Sequence, residues 1–220
     1  MHLHHLVVGA LQVNCFLLVD ETTKEAYLID PGDNASLILR LIERSGARVT
    51  RIINTHAHFD HVLAVPDVQA ATGATFHLHQ AELPVLGWAA EAAAAWLDRE
   101  WGPPPHVDGF LAPGDDLRLG ATVLEIRHVP GHSPGSLVYI DHAGRRAWVG
   151  DTVFAGGIGR TDFPGCSFPL LIEAIHTQIL TLPDDYALYP GHGSFTTVGR
   201  ERKTNTYLSD VVRADAAEGE

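Results

Sequence analysis

The sequence predicts an α+β chain arranged as an αββα sandwich, in which two mixed sheets stack face to face and helices cover the outside. Three observations favour this architecture. Short apolar strands followed by helices occur twice along the 220 residues. Hydrophobic residues make up 45% of the chain and charged residues 19%, as in ordinary globular proteins. No low-complexity linker divides the chain, so residues 1–220 are predicted to form one domain.

The first half of the chain supplies five strands and three helices. Runs of apolar residues bounded by turn residues predict strands over 6–8, 15–19, 26–30, 49–53 and 74–78. The predicted helices span 35–44, 61–71 and 81–101. The first shows the clearest helical spacing, with Leu37, Ile38, Leu41 and Ile42 on one face and Gly46 just past its end. Pro84 is expected to disturb the start of the last helix.

The second half repeats this order with a new set of strands. Apolar runs predict strands over 117–119, 122–129, 136–140, 146–149 and 186–189. Helical spacing predicts one helix over 168–180 and the start of a short helix near Thr197. Two similar halves of this kind indicate two sheets, each covered by its own helices.

Charge and cysteine content narrow the class of function. A formal net charge of −12 argues against nucleic acid as a partner, because phosphate binding needs an excess of Lys and Arg. Two cysteines, Cys15 and Cys166, are too few for a disulfide framework and favour a reducing compartment. The first residues lack a signal-peptide pattern, and no apolar run is long enough to cross a bilayer. We therefore expect a cytoplasmic protein without a membrane partner.

The residues with the strongest chemical signal follow the predicted strand 49–53. Within residues 55–61 the pattern H-x-H-x-D-H places His56, His58, Asp60 and His61 in one loop. Imidazole nitrogens and carboxylate oxygens bind zinc and related divalent metals. Residues two apart in an extended loop point the same way, so His56 and His58 can share one metal. The loop is interpreted as a metal site at the end of a strand.

Three further candidate ligands also follow apolar runs, and each has a glycine beside it. They are His132, Asp151 and His192. Glycine permits tight turns and a close approach of the backbone, so ligands in such loops can converge at one edge of a sandwich. The seven candidates divide into one set of His56, His58 and His132 and a second set of Asp60, His61 and His192, with Asp151 as a bridge.

Two such sets predict two divalent metal ions. Metals about 3.5–4 Å apart hold a hydroxide between them, and a metal lowers the pKa of its bound water to roughly 7. This arrangement supplies a nucleophile at neutral pH without a serine or cysteine. Zinc is the expected metal, and iron or manganese is also compatible with mixed histidine and carboxylate ligands.

The order and type of these residues resemble the metallo-β-lactamase superfamily, from Asp30 to His192. Residues 157–165 and 197–205 resemble its type II glyoxalases, the hydroxyacylglutathione hydrolases, in their short bacterial form. The resemblance implies the metallo-β-lactamase fold and hydrolysis of a small-molecule thioester such as S-lactoylglutathione. It implies that Asp60 or Asp151 orients the hydroxide and then carries its proton.

Two positions of that family's substrate site differ in this chain. Arg160 stands where those enzymes carry a lysine near the substrate, and Asp162 stands where they carry a tyrosine. Arg160 is therefore a candidate substrate-binding residue through a carboxylate of the substrate. An ion pair between Arg160 and Asp162 or another acidic residue is the alternative interpretation.

Other functions remain open at this point. Residues 159–163 and 201–205 also resemble persulfide dioxygenases, which hold one Fe(II) through residues matching His56, His132 and Asp151. A β-lactamase is less favoured, because active members typically lack an aspartate at the position of Asp151. A binding module without catalysis is less favoured too, since it would be expected to have lost a ligand.

Overall fold

Two six-stranded mixed sheets stack face to face with helices on both outer sides, which confirms the predicted αββα sandwich. The structure is a computed structural model that describes residues 1–98, 100–209 and 212. Within these residues, no helix is both long and apolar enough to span a membrane.

The first sheet is built from the first half of the chain. Its strands are β1 (His2–Val8), β2 (Val13–Val19), β3 (Glu25–Ile29), β4 (Arg48–Ile53), β5 (Thr75–Leu78) and β6 (Gly109–Phe110). They lie side by side in sequence order. The pairs β1–β2 and β2–β3 are antiparallel, and β3 to β6 are parallel.

The second sheet comes from the second half. Its strands are β7 (Leu117–Leu119), β8 (Thr122–His128), β9 (Leu137–Asp141), β10 (Arg146–Gly150), β13 (Ala187–Pro190) and β14 (Thr196–Thr197), in the order β14-β13-β10-β9-β8-β7. A small hairpin joins β11 (Val153–Phe154) to β12 (Gly157–Ile158). Strands β10 and β13 are parallel, and the other pairs of this sheet are antiparallel.

Six α-helices cover the sheets. They are α1 (Ala35–Ser45), α2 (Phe59–Val62), α3 (Val65–Thr72), α4 (Leu83–Leu97), α5 (Phe168–Ala174) and α6 (Val198–Thr204) among the described residues. A turn of π-helix, Ile175–Ile179, extends α5, and 3₁₀ turns occupy Gln80–Glu82 and Thr206–Leu208. Thr197 caps α6 by accepting a hydrogen bond from the backbone N–H of Arg200.

The layers enclose three hydrophobic cores, and the residues of β2 contribute to two of them. Phe16 and Leu18 point between the sheets, where they join a core that includes Tyr139 and Trp148. Leu17, the residue between them, belongs to the core under the helices of the first sheet. Alternate residues of a strand face opposite sides, so a strand in the middle of four layers is buried on both sides.

Two predicted helices differ from the observed ones at prolines. The helix predicted over 61–71 is split, because α2 ends at Val62 and α3 begins at Val65, with Pro66 in its first turn. Proline has no N–H and clashes with the carbonyl four residues earlier, so it starts a helix rather than continuing one. The helix predicted over 81–101 is α4, which begins at Leu83 and ends at Leu97.

Candidate metal centre

The seven predicted ligand residues come together in segments that follow the carboxyl ends of strands, five of them in loops and Asp60 and His61 in the short helix α2. The His56 loop follows β4, and the loops of His132, Asp151 and His192 follow β8, β10 and β13. In the first set, ligand atoms of His56, His58 and His132 all lie within 4.8 Å of one another. In the second set, those of Asp60, His61 and His192 do the same.

The carboxylate of Asp151 lies between the two sets. Its Oδ1 is 3.5 Å from His61 Nε2, and its Oδ2 is 3.7 Å from His132 Nε2 and 3.5 Å from His192 Nε2. One side chain thus faces members of both sets, which is the position that a bridging ligand needs.

Two buried nitrogens test whether metal fits this cluster. The Nε2 atoms of His56 and His132 are buried and make no hydrogen bond within the described part of the chain. Leaving a buried polar group unsatisfied costs about 1–3 kcal/mol. A cation between these imidazoles would satisfy both nitrogens, so the residues fit a metal.

The opposite ring nitrogens of three histidines are already held. Nδ1 of His132 lies 2.8 Å from the backbone oxygen of Arg160, and Nδ1 of His192 lies 2.9 Å from that of Leu11. Nδ1 of His61 lies 3.1 Å from Oδ2 of Asp30. An Nδ1–H that donates to an oxygen fixes the ring and leaves Nε2 as a lone-pair ligand.

The charge state of several candidate ligands also suits a cation. Burial lowers the pKa of His58 to about 3, and it lowers the pKa of His56 and of His132 as well, so these rings are neutral at pH 7. Burial acts to raise the pKa of Asp60 and Asp151, but the neighbouring imidazoles outweigh it and hold both pKa values below the ordinary range. Neutral imidazoles and ionised carboxylates are the forms that bind metal.

The close packing of the candidate ligands requires a glycine at position 191. A Cβ on Gly191 would lie 2.1 Å from Asp151 Oδ1 and 2.7 Å from a ring carbon of His61. A side chain there would occupy the space next to the cluster. The glycine that precedes His192 in the sequence therefore has a direct structural reason.

Comparison with known proteins agrees with this geometry. The sequence-family model of the metallo-β-lactamase superfamily matches residues 8–192. The chain belongs to this superfamily. Its members bind metal ions, and the described residues contain matching histidine and aspartate clusters. Hydroxyacylglutathione hydrolase GloC of Haemophilus influenzae is 36% identical to the chain, over 95% of the chain and 99% of GloC.

Several solved structures resemble the chain over nearly its full length. BLEG-1 B3 metallo-β-lactamase has a TM-score of 0.88 at 32% identity and covers 94% of this chain and 100% of its own. TTHA1623 in a di-iron-bound form has a TM-score of 0.85 at 37% identity, with coverage of 93% and 100%. ETHE1 from Myxococcus xanthus has a TM-score of 0.80 at 25% identity, with coverage of 100% and 91%.

Sequence reasoning missed a buried aspartate behind the cluster. Asp30 accepts hydrogen bonds from the backbone N–H of Thr55 at 2.7 Å and from its hydroxyl at 2.6 Å. Its Oδ2 also faces His61, and Thr55 Oγ1 lies 3.0 Å from His56 Nδ1. Asp30 groups geometrically with His56 and His61, but its oxygens are occupied, so it orients ligands. An aspartate directly after the apolar residues 26–29 was the available signal in the sequence.

A second missed residue, Glu82, joins two ligand loops. Its carboxylate is fully buried and accepts a hydrogen bond from the N–H of Ala57 at 2.7 Å, between His56 and His58. Its other oxygen accepts from the Ser133 hydroxyl at 2.5 Å and the Gly135 N–H at 2.6 Å, just after His132. No local pattern around Glu82 signals this role, because its partners are distant in sequence.

Arg160 lies at the rim of a cavity of about 540 Å³ that opens over the candidate ligands. Its Nε and Nη2 each donate to a carboxylate oxygen of Asp162 at 2.7 Å. This bond lowers the pKa of Asp162 to about 2. The ion pair that sequence reasoning offered as the alternative for Arg160 is therefore present, and its contact with substrate stays a prediction.

Proposed function

We propose that this protein is a hydrolase that uses two divalent metal ions, expected to be zinc, to cleave a thioester such as S-lactoylglutathione. The proposal is carried by the two ligand sets that meet around Asp151. The 36% identity to a hydroxyacylglutathione hydrolase along nearly the full length of both chains supports the thioester class.

The proposed ligands are those that the sequence singled out. One ion is assigned to His56, His58 and His132, the second to Asp60, His61 and His192, and Asp151 is shared. When bound, two such ions lower the pKa of water to roughly 7 and polarise the thioester carbonyl. Iron or manganese in place of zinc would leave this assignment unchanged.

The side chains of the protein have distinct proposed tasks. Asp60 and Asp151 both line the cavity and, when ionised, only accept hydrogen bonds, so they orient the attacking water. The water oxygen bonds to the carbonyl carbon and the carbon–sulfur bond breaks. Asp60 or Asp151 then passes a proton from that water to the departing thiolate. The products are a carboxylic acid and a thiol, and Arg160 contacts the substrate at the rim.

The reaction is proposed to take place in the cytoplasm. Cys15 and Cys166 are both free thiols in the structure, as a reducing compartment favours. The substrate is a small molecule, since the cavity has the volume of a typical small-molecule site.

Elemental analysis together with an S-lactoylglutathione assay tests the proposal. We expect about two metal ions per chain and release of free thiol, which chelation abolishes and added zinc restores. A metal-replete protein that releases no thiol from any thioester would overturn the proposal.

A persulfide dioxygenase is the second candidate, favoured by the resemblance of residues 159–163 and 201–205 to that family. That reaction would use a single iron at His56, His132 and Asp151. About one iron per chain with O₂ uptake that depends on glutathione persulfide would establish it in place of the thioesterase.

A further inference from the structure

One side of the cavity over the candidate ligands is made of apolar side chains. Its members, here called the apolar wall, are Val85, Trp88, Ala92, Trp96 and Phe163. The first four lie on α4 at intervals of three and four residues, which places them on one face of the helix. The lining also includes the candidate ligands, here called the ligand side, which are His58, Asp60, His132, Asp151 and His192.

Helix α4 is unusual because it is apolar on its open face as well as its buried face. Leu86, Ala89 and Ala93 pack into the core, as expected of a helix on a sheet. Trp88 and Trp96 are nevertheless 52% and 55% exposed. Large exposed aromatic side chains beside a cavity indicate a surface that a ligand covers.

The apolar wall is in contact with the candidate metal centre. The ring centroid of Phe163 lies 5.6 Å from that of His58 and 6.4 Å from that of Trp96, with edge-to-face geometry in both cases. Phe163 thus connects a candidate metal ligand to the exposed end of α4. A group attached next to a carbonyl at the centre would lie against these rings.

The positive charge of Arg160 at the rim of the cavity is paired with a carboxylate of the protein. Arg160 is the one Lys or Arg among the described residues that line the cavity. Its guanidinium is bound by both oxygens of Asp162 and stacks 4.1 Å from the ring centroid of Phe163 and 5.7 Å from that of Trp96. A carboxylate of the substrate would have to compete with Asp162 for this cation.

We infer that the preferred substrate is a thioester with an apolar, uncharged group beside the scissile carbonyl, and that Trp96 and Phe163 select it. Glutathione carries two carboxylates, and the described lining offers them no free Lys or Arg. We therefore expect the thiol part of the substrate to contribute little to kcat/KM. This inference rests on the proposed thioester hydrolysis.

Four thioesters test the inference. S-lactoylglutathione and S-mandeloylglutathione share thiol and α-hydroxyacyl group and differ by a methyl or a phenyl. The same two acyl groups on N-acetylcysteamine remove every charge of glutathione. With spontaneous hydrolysis subtracted, we expect kcat/KM to rise about tenfold from lactoyl to mandeloyl, as pocket contacts of this size give. We expect less than a threefold loss when glutathione is replaced.

Trp96→Ala tests whether the preference for the mandeloyl thioester comes from the apolar wall or from the intrinsic reactivity of that thioester. Phe110→Ala is the matched control. Phe110 is 47% exposed and lies outside the cavity. We expect Trp96→Ala to lower the mandeloyl-to-lactoyl ratio to about one without loss of metal, and Phe110→Ala to leave the ratio unchanged. Trp88→Ala provides a second wall variant if Trp96→Ala fails to fold.

Failure of this inference can be distinguished from failure of the proposed function. If S-lactoylglutathione is preferred, if the neutral thiol costs more than tenfold, or if the wall variants keep the wild-type ratio, the inference is wrong while thioester hydrolysis stands. If none of the four thioesters is cleaved by metal-replete protein, the proposed function itself fails.

Discussion

The two sides of the cavity differ in how their side chains are held. On the ligand side, His56, His61 and His132 are buried, and a hydrogen bond at Nδ1 fixes each ring. On the apolar wall, Trp88 and Trp96 are more than half exposed. Groups that bind metal must be positioned before the substrate arrives, whereas groups that select a substrate need only be covered by it. Within one cavity, metal binding and substrate selection are thus assigned to different side chains.

The largest effect is expected on the ligand side, from His58→Ala. Removing one imidazole of the first set should lower metal content and turnover together, by more than the 10–100-fold typical of outer partners. Elemental analysis and kcat/KM on one thioester measure both. His106→Ala is the control, since the side chain of His106 is 84% exposed. Full activity of His58→Ala would contradict the assigned ligand set.

Asp151→Ala and Arg160→Ala compare the centre with the rim. Asp151 faces both ligand sets, so its loss should reduce kcat/KM at least about a hundredfold, as metal-site partners do. Arg160 is exposed and paired with Asp162, so its loss should cost less than about tenfold on neutral thioesters. Similar losses for the two variants would argue against a bridging aspartate.

Glu82→Gln tests whether the hydrogen bonds behind the ligands matter for metal binding. The amide NH₂ of glutamine cannot accept, so at least one donor among Ala57, Ser133 and Gly135 loses its partner. We expect a loss of about 1–3 kcal/mol in the free energy of unfolding and a 10–100-fold weaker metal affinity.

Chemical denaturation and metal titration measure these two effects separately. Glu91→Gln on the exposed face of α4, the helix that follows Glu82, should change neither quantity. If Glu82→Gln unfolds more easily but binds metal as tightly as wild type, Glu82 supports the fold without positioning the ligands.

The smallest effect is expected from Trp88→Ala on the apolar wall. Trp88 is exposed, so its loss should leave metal content unchanged and the free energy of unfolding within about 0.5 kcal/mol of wild type. kcat/KM on the mandeloyl thioester should fall a few-fold. Loss of metal in this variant would show that the two sides of the cavity are not independent.

Much of the architecture could be predicted because the signals are local. Short continuous apolar runs such as that of β2 predict strands, and Leu37, Ile38, Leu41 and Ile42 predict α1. Strands β6, β11, β12 and β14 were missed because two residues are too few to show alternation. The break between α2 and α3 was missed although Pro66 was its signal.

The sequence by itself determined the sandwich and singled out the seven candidate ligands, because each ligand follows an apolar run beside a turn. Tertiary structure alone decided the roles of Asp30 and Glu82, the pairing of Arg160 with Asp162 and the apolar wall. Glu82 binds residues 25 and 51 positions away, and no periodic pattern marks such partners. Contacts between distant segments exist only once the sheets have stacked, so they follow from packing rather than from local residue spacing.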